Sequence, residues 1–316
     1  MKVLVTGGTG FIANELLTRL QRNGYDLYNL ERYEAGRFSQ QKEFPTVFGD
    51  IGDAASVKNI LRELQPEILI HFAALTSVAY SYEHPIEVIN ANLIGTINLA
   101  EACRTDVKNF KKMIFSSSVE SYKDTPGVLQ NEEKTPQEPD SPYGVSKVAA
   151  EKYLLYLCRN RGFPAFILRQ SNTYGRKRDA NFVVETIISQ MLRGGPVNLG
   201  SPDPVRDFIH VSDLIDFHMK LIESETQSEH VFNVGTSKPT SIKELANLIA
   251  TETGYEGRLN WNAIPPRPRE IKWLVVDNQK ARTLLHWTPK IELREGIKKT
   301  IESWKKYNNE ICDECT

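Results

Sequence analysis

The sharpest chemical signal in the sequence is a tyrosine and a lysine, Tyr143 and Lys147, four positions apart in YGVSK. The apolar periodicity predicts a helix from Tyr143 to Arg161, which puts both side chains on one face. An ammonium beside a phenol favours the phenolate and draws its pKa from ~10 toward neutrality, making Tyr143 a candidate base for a hydroxyl proton. A Tyr-x-x-x-Lys pair alone also fits an ordinary helix face. Ser118, 25 residues upstream at the end of a predicted strand, gives the pair its force.

A second signal stands at the start of the chain. The strand Lys2 to Val5 runs into Thr6-Gly7-Gly8-Thr9-Gly10-Phe11-Ile12-Ala13 and then an amphipathic segment, Ile12 to Asn23. Glycines let the backbone turn tightly and approach a pyrophosphate, which the free amides and positive dipole of a helix N-terminus stabilise. Glu31, at the end of the second strand, can accept both ribose hydroxyls and repel a 2′-phosphate, which favours NAD. Arg32 and Arg37 argue for NADP, and an exposed Glu31–Arg32 surface pair competes with both readings. Asp50 and Ile51 follow the third strand, placed to cap the adenine amino group and pack on its ring. Phe72, Ala73 and Ala74 close the fourth with residues small enough for close backbone approach.

These residues need a scaffold that brings strand ends together. Buried strands are predicted at Lys2 to Val5, Tyr25 to Leu30, Pro45 to Phe48, Ile68 to Phe72, Lys112 to Ser116 and Ala165 to Arg169. Helices are predicted between them, at Ile12 to Asn23, Ala55 to Leu64, Val88 to Cys103 and Tyr143 to Arg161. The alternation argues for an α/β fold, a Rossmann-type doubly wound parallel sheet. After Arg169 the pattern loosens into Gly- and Pro-rich loops with helices at Asn181 to Leu192, Ser212 to Ser224 and Ser241 to Thr253. The expected division is a dinucleotide-binding, catalytic domain over 1–170 and a smaller α/β substrate lobe over 171–316, the chain being free to cross between them.

Composition narrows the partners. The 316 residues include 39 Lys and Arg against 40 Asp and Glu, with no block of like charge, so nothing favours nucleic acid or an anionic membrane. No apolar run reaches the ~18 residues of a membrane span and the first residues are too short for a signal peptide, so a cytoplasmic location is expected. Cys103 and Cys158 read as buried core thiols. Cys312 and Cys315 have C-x-x-C spacing without a second pair, which reads as a polar tail, and no metal site is expected.

The ordered motifs TGGTGFI, GDI, HFAA, NANLIGTINL, SSS, YGVSK, LRQSNTYG and RDFIHVSDL resemble the extended short-chain dehydrogenase/reductase family over residues 1–305. That family includes nucleotide-sugar epimerases, 4,6-dehydratases, decarboxylases and 4-keto reductases. The resemblance implies a nucleotide-diphosphate sugar as substrate and a dinucleotide contacted by Gly7, Gly10, Phe11, Ile12, Glu31, Arg32, Asp50, Ile51, Phe72, Ala73, Ala74, Asn92, Ser116, Tyr143 and Lys147. It makes Ser118 the group that holds the sugar 4-oxygen. Glu120 falls where 4,6-dehydratases, decarboxylases and some reductases carry Glu and typical 4-epimerases carry small or hydroxyl residues. A carboxylate there removes the acidified hydrogen of carbon 5 in a 4-keto sugar. Val119 departs from the dehydratase pattern, since it has no proton to donate.

The same resemblance assigns substrate contacts to Thr76, Ser118, Asn172, Asn181, Phe182, Val183, Arg206 and Arg267. Arginine suits a diphosphate through its bidentate fork, although Arg206–Asp207 also reads as a local ion pair. The phrase RPREI is similar to an RPxE segment of GDP-sugar enzymes and tilts the expectation to a GDP sugar. The expected activity is 4,6-dehydration, with 4-epimerisation and 4-keto reduction as alternatives, and the apolar helices Val88 to Cys103 and Tyr143 to Arg161 suit a homodimer.

Overall fold

The computed structural model describes residues 1–32, 44–177, 179–225 and 229–314, the side chains of 307–314 excepted; Arg37 and the Cys312–Cys315 pair lie outside what it describes. In the first half, strands and helices largely alternate among the described residues. β1 (Lys2–Thr6), α1 (Phe11–Arg22), β2 (Asp26–Glu31), β3 (Thr46–Phe48), α2 (Ala54–Leu64) and β4 (Ile68–His71) are followed by α3 (Val78–Glu83) and α4 (Pro85–Ile89). A single π-helical turn, Asn90–Ile94, leads into α5 (Gly95–Asp106), then β5 (Lys112–Ser118), a 3₁₀ turn at Val119–Ser121, α6 (Pro142–Arg161) and β6 (Ala165–Gln170). The helix expected over Val88 to Cys103 is therefore three pieces, and the π turn is what aims Asn92 inward.

Beyond β6 come β7 (Asn172–Tyr174), α7 (Val183–Arg193), β8 (Val197–Asn198), β9 (Val205–His210), α8 (Val211–Glu223), β10 (Val231–Val234) and β11 (Pro239–Ser241). The chain ends with α9 (Ile242–Thr253), β12 (Leu259–Asn260), β13 (Trp273–Leu274), α10 (Gln279–Leu285) and α11 (Leu293–Glu314).

The main sheet has seven strands in the order β10-β6-β5-β4-β1-β2-β3, every pair parallel. A parallel sheet is covered on both faces, which is why its strands read as unbroken apolar runs. Val3, Val5, Ile70 and Ile114 pack against Leu16, Leu17 and Leu20 of α1 and Leu214 and Phe217 of α8. Leu4, Leu69, Met113 and Phe115 face the other way, against Leu61 of α2, Leu99 of α5 and Leu154 of α6. Strand order reverses between β1 and β4, and in such sheets the crevice beyond the strand ends at that point is where ligands bind.

The seventh strand, β10, comes from the second half of the chain, as does α8. α10 joins them through Ala281 and Leu285, and the other elements form a smaller lobe around β9, which pairs with β7, β11 and β13, with a core where α7, α9 and α11 meet. No helix among the described residues is long and apolar enough to cross a membrane. Cys103 and Cys158 are buried free thiols.

Candidate active site

The glycine turn is built as its sequence demands. Gly7 has φ +73°, and a Cβ on it would stand 2.9 Å from the backbone nitrogen of Ala73, so only glycine lets β1's turn lie against the end of β4. Gly10 caps α1 without a side-chain hydrogen bond, and the first turn holds no acid, leaving the amides of the helix N-terminus free for an anion. Glu31 is buried rather than paired at the surface. Its Oε1 accepts from Thr9 N at 2.6 Å and Asn29 Nδ2 at 3.3 Å, so one oxygen braces the turn. Arg32 beside it is exposed.

These residues open on a cleft of about 420 Å³ across the strand ends. Its lining includes Gly7, Gly10, Phe11, Ile12, Glu31, Arg32, Asp50, Ile51, Phe72, Ala73, Ala74 and Ser116, all expected at a dinucleotide. Thr76 and Phe182, expected at the substrate, line this cleft instead. Asn92 does not. It is buried, Nδ2 donating to Leu75 O and Ser146 Oγ at 3.0 Å each and Oδ1 accepting from Leu75 N at 2.8 Å, so it pins the loop after β4 to α6. Both hydrogens of Nδ2 are thereby used within the protein.

Ser116 lines one end of the cleft, and a second group of side chains gathers beyond it. Ser141 caps α6 by accepting from Gly144 N, and this fixes Tyr143 in the first turn, where it is buried. Lys147 Nζ lies 5.9 Å from the Tyr143 ring and 4.7 Å from that of Phe115, and donates to Ser116 O at 2.7 Å. The expected effect of the pair on the phenol is not what the structure displays. Burial pushes Tyr143 up to about 12, against the pull of Ser118 beside it, and pushes Lys147 down to about 7, with Glu151 opposing. Sequence spacing brings the two groups to one face; it does not register that desolvation disfavours both charged forms.

Ser118 ends β5 and sets the geometry of the next turn, its Oγ accepting from Glu120 N at 3.2 Å. Val119 and Tyr122 pack against Ile271, Leu274 and Val276 of the smaller lobe. Val119 is thus a hydrophobic anchor, and Glu120, between these anchors, is half-buried and close enough to Tyr143 to act on it. Burial raises its pKa, while Arg206 and Arg267 hold it back. It in turn raises Tyr143 and Tyr82. Arg206 is buried on β9, its two Nη donating to Val205 O at 3.0 Å and Ile271 O at 2.8 Å. It does not pair with Asp207, whose carboxylate accepts from Thr236 and Ser237.

The other expected substrate residues divide. Arg267 is exposed yet close enough to act on Glu120 and Arg206. Asn172, at the start of β7, has an Oδ1 that is buried without a partner, as are Gln170 Nε2 and Ser171 Oγ just before it. Asn181 is exposed and its backbone N–H donates to Asp179. Val183 begins α7 and packs on the smaller lobe's core. Three contributors were not legible in the sequence: Tyr82, whose hydroxyl donates to Asp140 O at 2.9 Å; Gln170, opposite Ser118 in the β5–β6 ladder; and Arg176 on the cleft wall. Tyr82 and Arg176 sit outside the motifs and Gln170 lies within LRQSNTYG without a role read for it, so the fold is what brings each to the site. No group of three or more His, Cys, Asp or Glu able to hold a metal occurs among the described residues.

Residues 4–300 match the family model described as GDP-mannose 4,6 dehydratase. The chain belongs to this family. It is an enzyme of the extended short-chain dehydrogenase/reductase group that includes nucleotide-sugar 4-epimerases and 4,6-dehydratases. Human dTDP-D-glucose 4,6-dehydratase is 31% identical over 97% of this chain and 90% of its own length. The UDP-glucose 4-epimerase of Thermotoga maritima, solved with UDP-glucose, superimposes with a TM-score of 0.90 at 32% identity, covering 98% of this chain and 100% of that one. The Thermus thermophilus UDP-glucose 4-epimerase, solved with NAD, gives a TM-score of 0.87 at 31% identity over 96% and 99%. The chain is thus similar to proteins named for both reaction types over at least 96% of its length.

Proposed function

We propose that the chain is a nucleotide-sugar 4,6-dehydratase that keeps NAD bound through the catalytic cycle. The glycine turn, the free N-terminus of α1 and the buried Glu31 fit a dinucleotide, with Ser116 and Lys147 at the catalytic end of the cleft. When bound, the oxidised dinucleotide supplies the hydride acceptor, later the hydride donor, and a positive charge beside Tyr143.

The protein's own residues do the rest. Ser118 holds the sugar 4-oxygen while Tyr143 takes its proton, with Lys147 fixed against Ser116 O to favour the phenolate as charge develops. Carbon 5 of the resulting 4-keto sugar is acidified by the neighbouring carbonyl. Glu120 removes its proton and returns that proton to the departing 6-hydroxyl, so that water leaves across carbons 5 and 6. The proton stored on Tyr143 then restores carbon 5 after carbon 6 is reduced, and every group ends as it began. Burial keeps Glu120 a better base than an exposed carboxylate, and Arg206 and Arg267 keep it ionisable. Those arginines also face the place where the substrate's diphosphate is expected.

The observation that carries this reading is Glu120, half-buried and coupled to Tyr143. A second reading, 4-epimerisation with Glu120 idle, is supported by the epimerase names of the two solved relatives above. A panel of UDP-, dTDP-, GDP- and CDP-sugars incubated with purified protein separates them. A product lighter by one water supports dehydration; an unchanged mass with inverted configuration at carbon 4 rejects it in favour of epimerisation. The same panel tests the GDP preference suggested by RPREI. We also infer a homodimer through α5 and α6, on which Ile94 at the junction and Val145 and Tyr156 of α6 are exposed; light scattering tests it.

A further inference from the structure

One cation in the cleft is used neither by the glycine turn nor by the catalytic side chains. Gly175, with φ +116°, turns the chain out of β7 at a point where a Cβ would stand 3.2 Å from His210 Nε2 and Val211 Cγ1. The next residue, Arg176, is held by its surroundings. The backbone N–H groups of Gly175 and Arg176 both donate to Glu185 Oε1 at 3.0 Å. The guanidinium donates through Nη1 to Thr173 O at 2.8 Å, and Nη1 lies 3.6 Å from the same Glu185 oxygen.

The guanidinium then reaches across the cleft. Its central carbon is 4.5 Å from the ring of Phe11 and 3.6 Å from the ring of Phe182, and all three residues line the cavity. Among the described residues only Nη1 finds a protein acceptor, so Nε and Nη2 remain as donors on a side chain whose open side is the cleft. Its position along the cleft identifies the ligand group. Glu31, Arg32, Asp50 and Ile51 mark the end suited to adenosine; Ser116, Tyr143 and Lys147 mark the other. Phe11 follows Gly10 at the N-terminus of α1, between those ends, where an anion meets free amides.

We propose that Arg176 is a latch over the dinucleotide's pyrophosphate: held between Phe11 and Phe182, it closes the cleft opposite the glycine turn and slows the cofactor's escape. A planar guanidinium pairs with two phosphate oxygens at once and stacks on aromatic faces without giving up that pairing. The inference rests on the dinucleotide reading of the cleft. It fits a reaction that gives the hydride back to the same sugar, in which the cofactor has no reason to leave.

The test compares R176Q/E185Q with E185Q, since removing both partners leaves no unpaired buried carboxylate. In both variants the side-chain amide oxygen at position 185 still accepts the backbone N–H groups of residues 175 and 176. Release of NAD and of ADP-ribose is followed by stopped-flow competition, with adenosine and UDP-glucose affinities measured by calorimetry. The latch predicts NAD and ADP-ribose leaving about ten- to a hundredfold faster from the double variant, with adenosine affinity unchanged. F182A, which removes only the outer ring, is expected to fall between. Equal release rates in all variants overturn the proposal. So does a loss confined to UDP-glucose, which would assign Arg176 to the sugar nucleotide's diphosphate. Wild-type protein that binds neither NAD nor ADP-ribose sinks the dinucleotide reading itself, whereas wild-type binding with no change in R176Q/E185Q sinks the latch alone.

Discussion

At the proposed dinucleotide end, recognition would fall to backbone amides and to the absence of side chains: Gly7, Gly10, Ala73 and Ala74 line the cleft, and Glu31 braces the turn from behind. At the proposed sugar end it would fall to charged side chains, where Arg206 and Arg267 act on the half-buried Glu120 and Arg267 acts on Arg206. The first arrangement is rigid and generic, because any dinucleotide has the same pyrophosphate. The second is particular, because moving one charge changes which proton can be taken. The fold secures a common cofactor with its turns and leaves the reaction to a few side chains that project from strand ends.

Substitutions at the sugar end should therefore cost rate, and those at the other end cofactor or stability. The largest effect is expected for Tyr143→Phe, a loss of at least about a thousandfold in kcat with NAD affinity intact; near-parental turnover would refute the base assignment. Glu120→Gln is expected to slow water loss about a hundredfold while a 4-keto sugar still accumulates, read by mass spectrometry. Undiminished water loss would return Glu120 to the role of a bystander. Arg206→Ala should raise KM for the sugar nucleotide about tenfold or more without moving the Kd of NAD. A shift in the NAD constant instead would erase the distinction between the two ends.

Smaller effects belong to the other end. Gly7→Ala forces a Cβ against Ala73 at a left-handed φ and should cost about 1–3 kcal/mol of stability by denaturant titration, together with NAD affinity. The contribution of His71 is read through pH. Enclosed between Thr6 Oγ1 at 2.8 Å and Thr96 Oγ1 at 3.0 Å, it is pushed down to about 3 by burial, with Lys147 adding to the effect. Its folded value lies below the unfolded ~6.5, so the unfolded chain binds the extra proton first and stability falls as pH drops from ~6.5 toward 3. Thermal melts of wild type and His71→Asn across that range should converge toward acid; parallel curves would exclude the histidine.

The same contrast governs what was legible in the sequence. β1, β2, β4, β5 and β6 appear within a residue or two of their predicted bounds, because a strand buried on both faces is an unbroken apolar run. β9 was not read as a strand, since its middle is Arg206 and Asp207, charged residues that the fold buries at 8% and 0% exposure. β10, Val231–Val234, has Asn233 breaking its apolar run, and its identity depends on β6, far away in sequence. Motif positions reached the cleft because motifs encode turns. Arg176 and Tyr82 carry no local signal, and their places follow from where β7 and α3 end. Asn92 lies within a recognisable motif yet serves the scaffold, because a π turn is invisible to helical periodicity.

The return of the chain at Val231–Val234 has a consequence for how the molecule is made. Until that strand is synthesised, β6 has one flank of backbone donors and acceptors, Ile167 N among them, with nothing to bond. A fragment ending near residue 170 would carry the whole glycine turn together with Ser118, Glu120, Tyr143 and Lys147, yet display a raw parallel edge ready to capture another nascent copy. The sheet that carries the glycine turn is thus complete only with a strand from beyond α8.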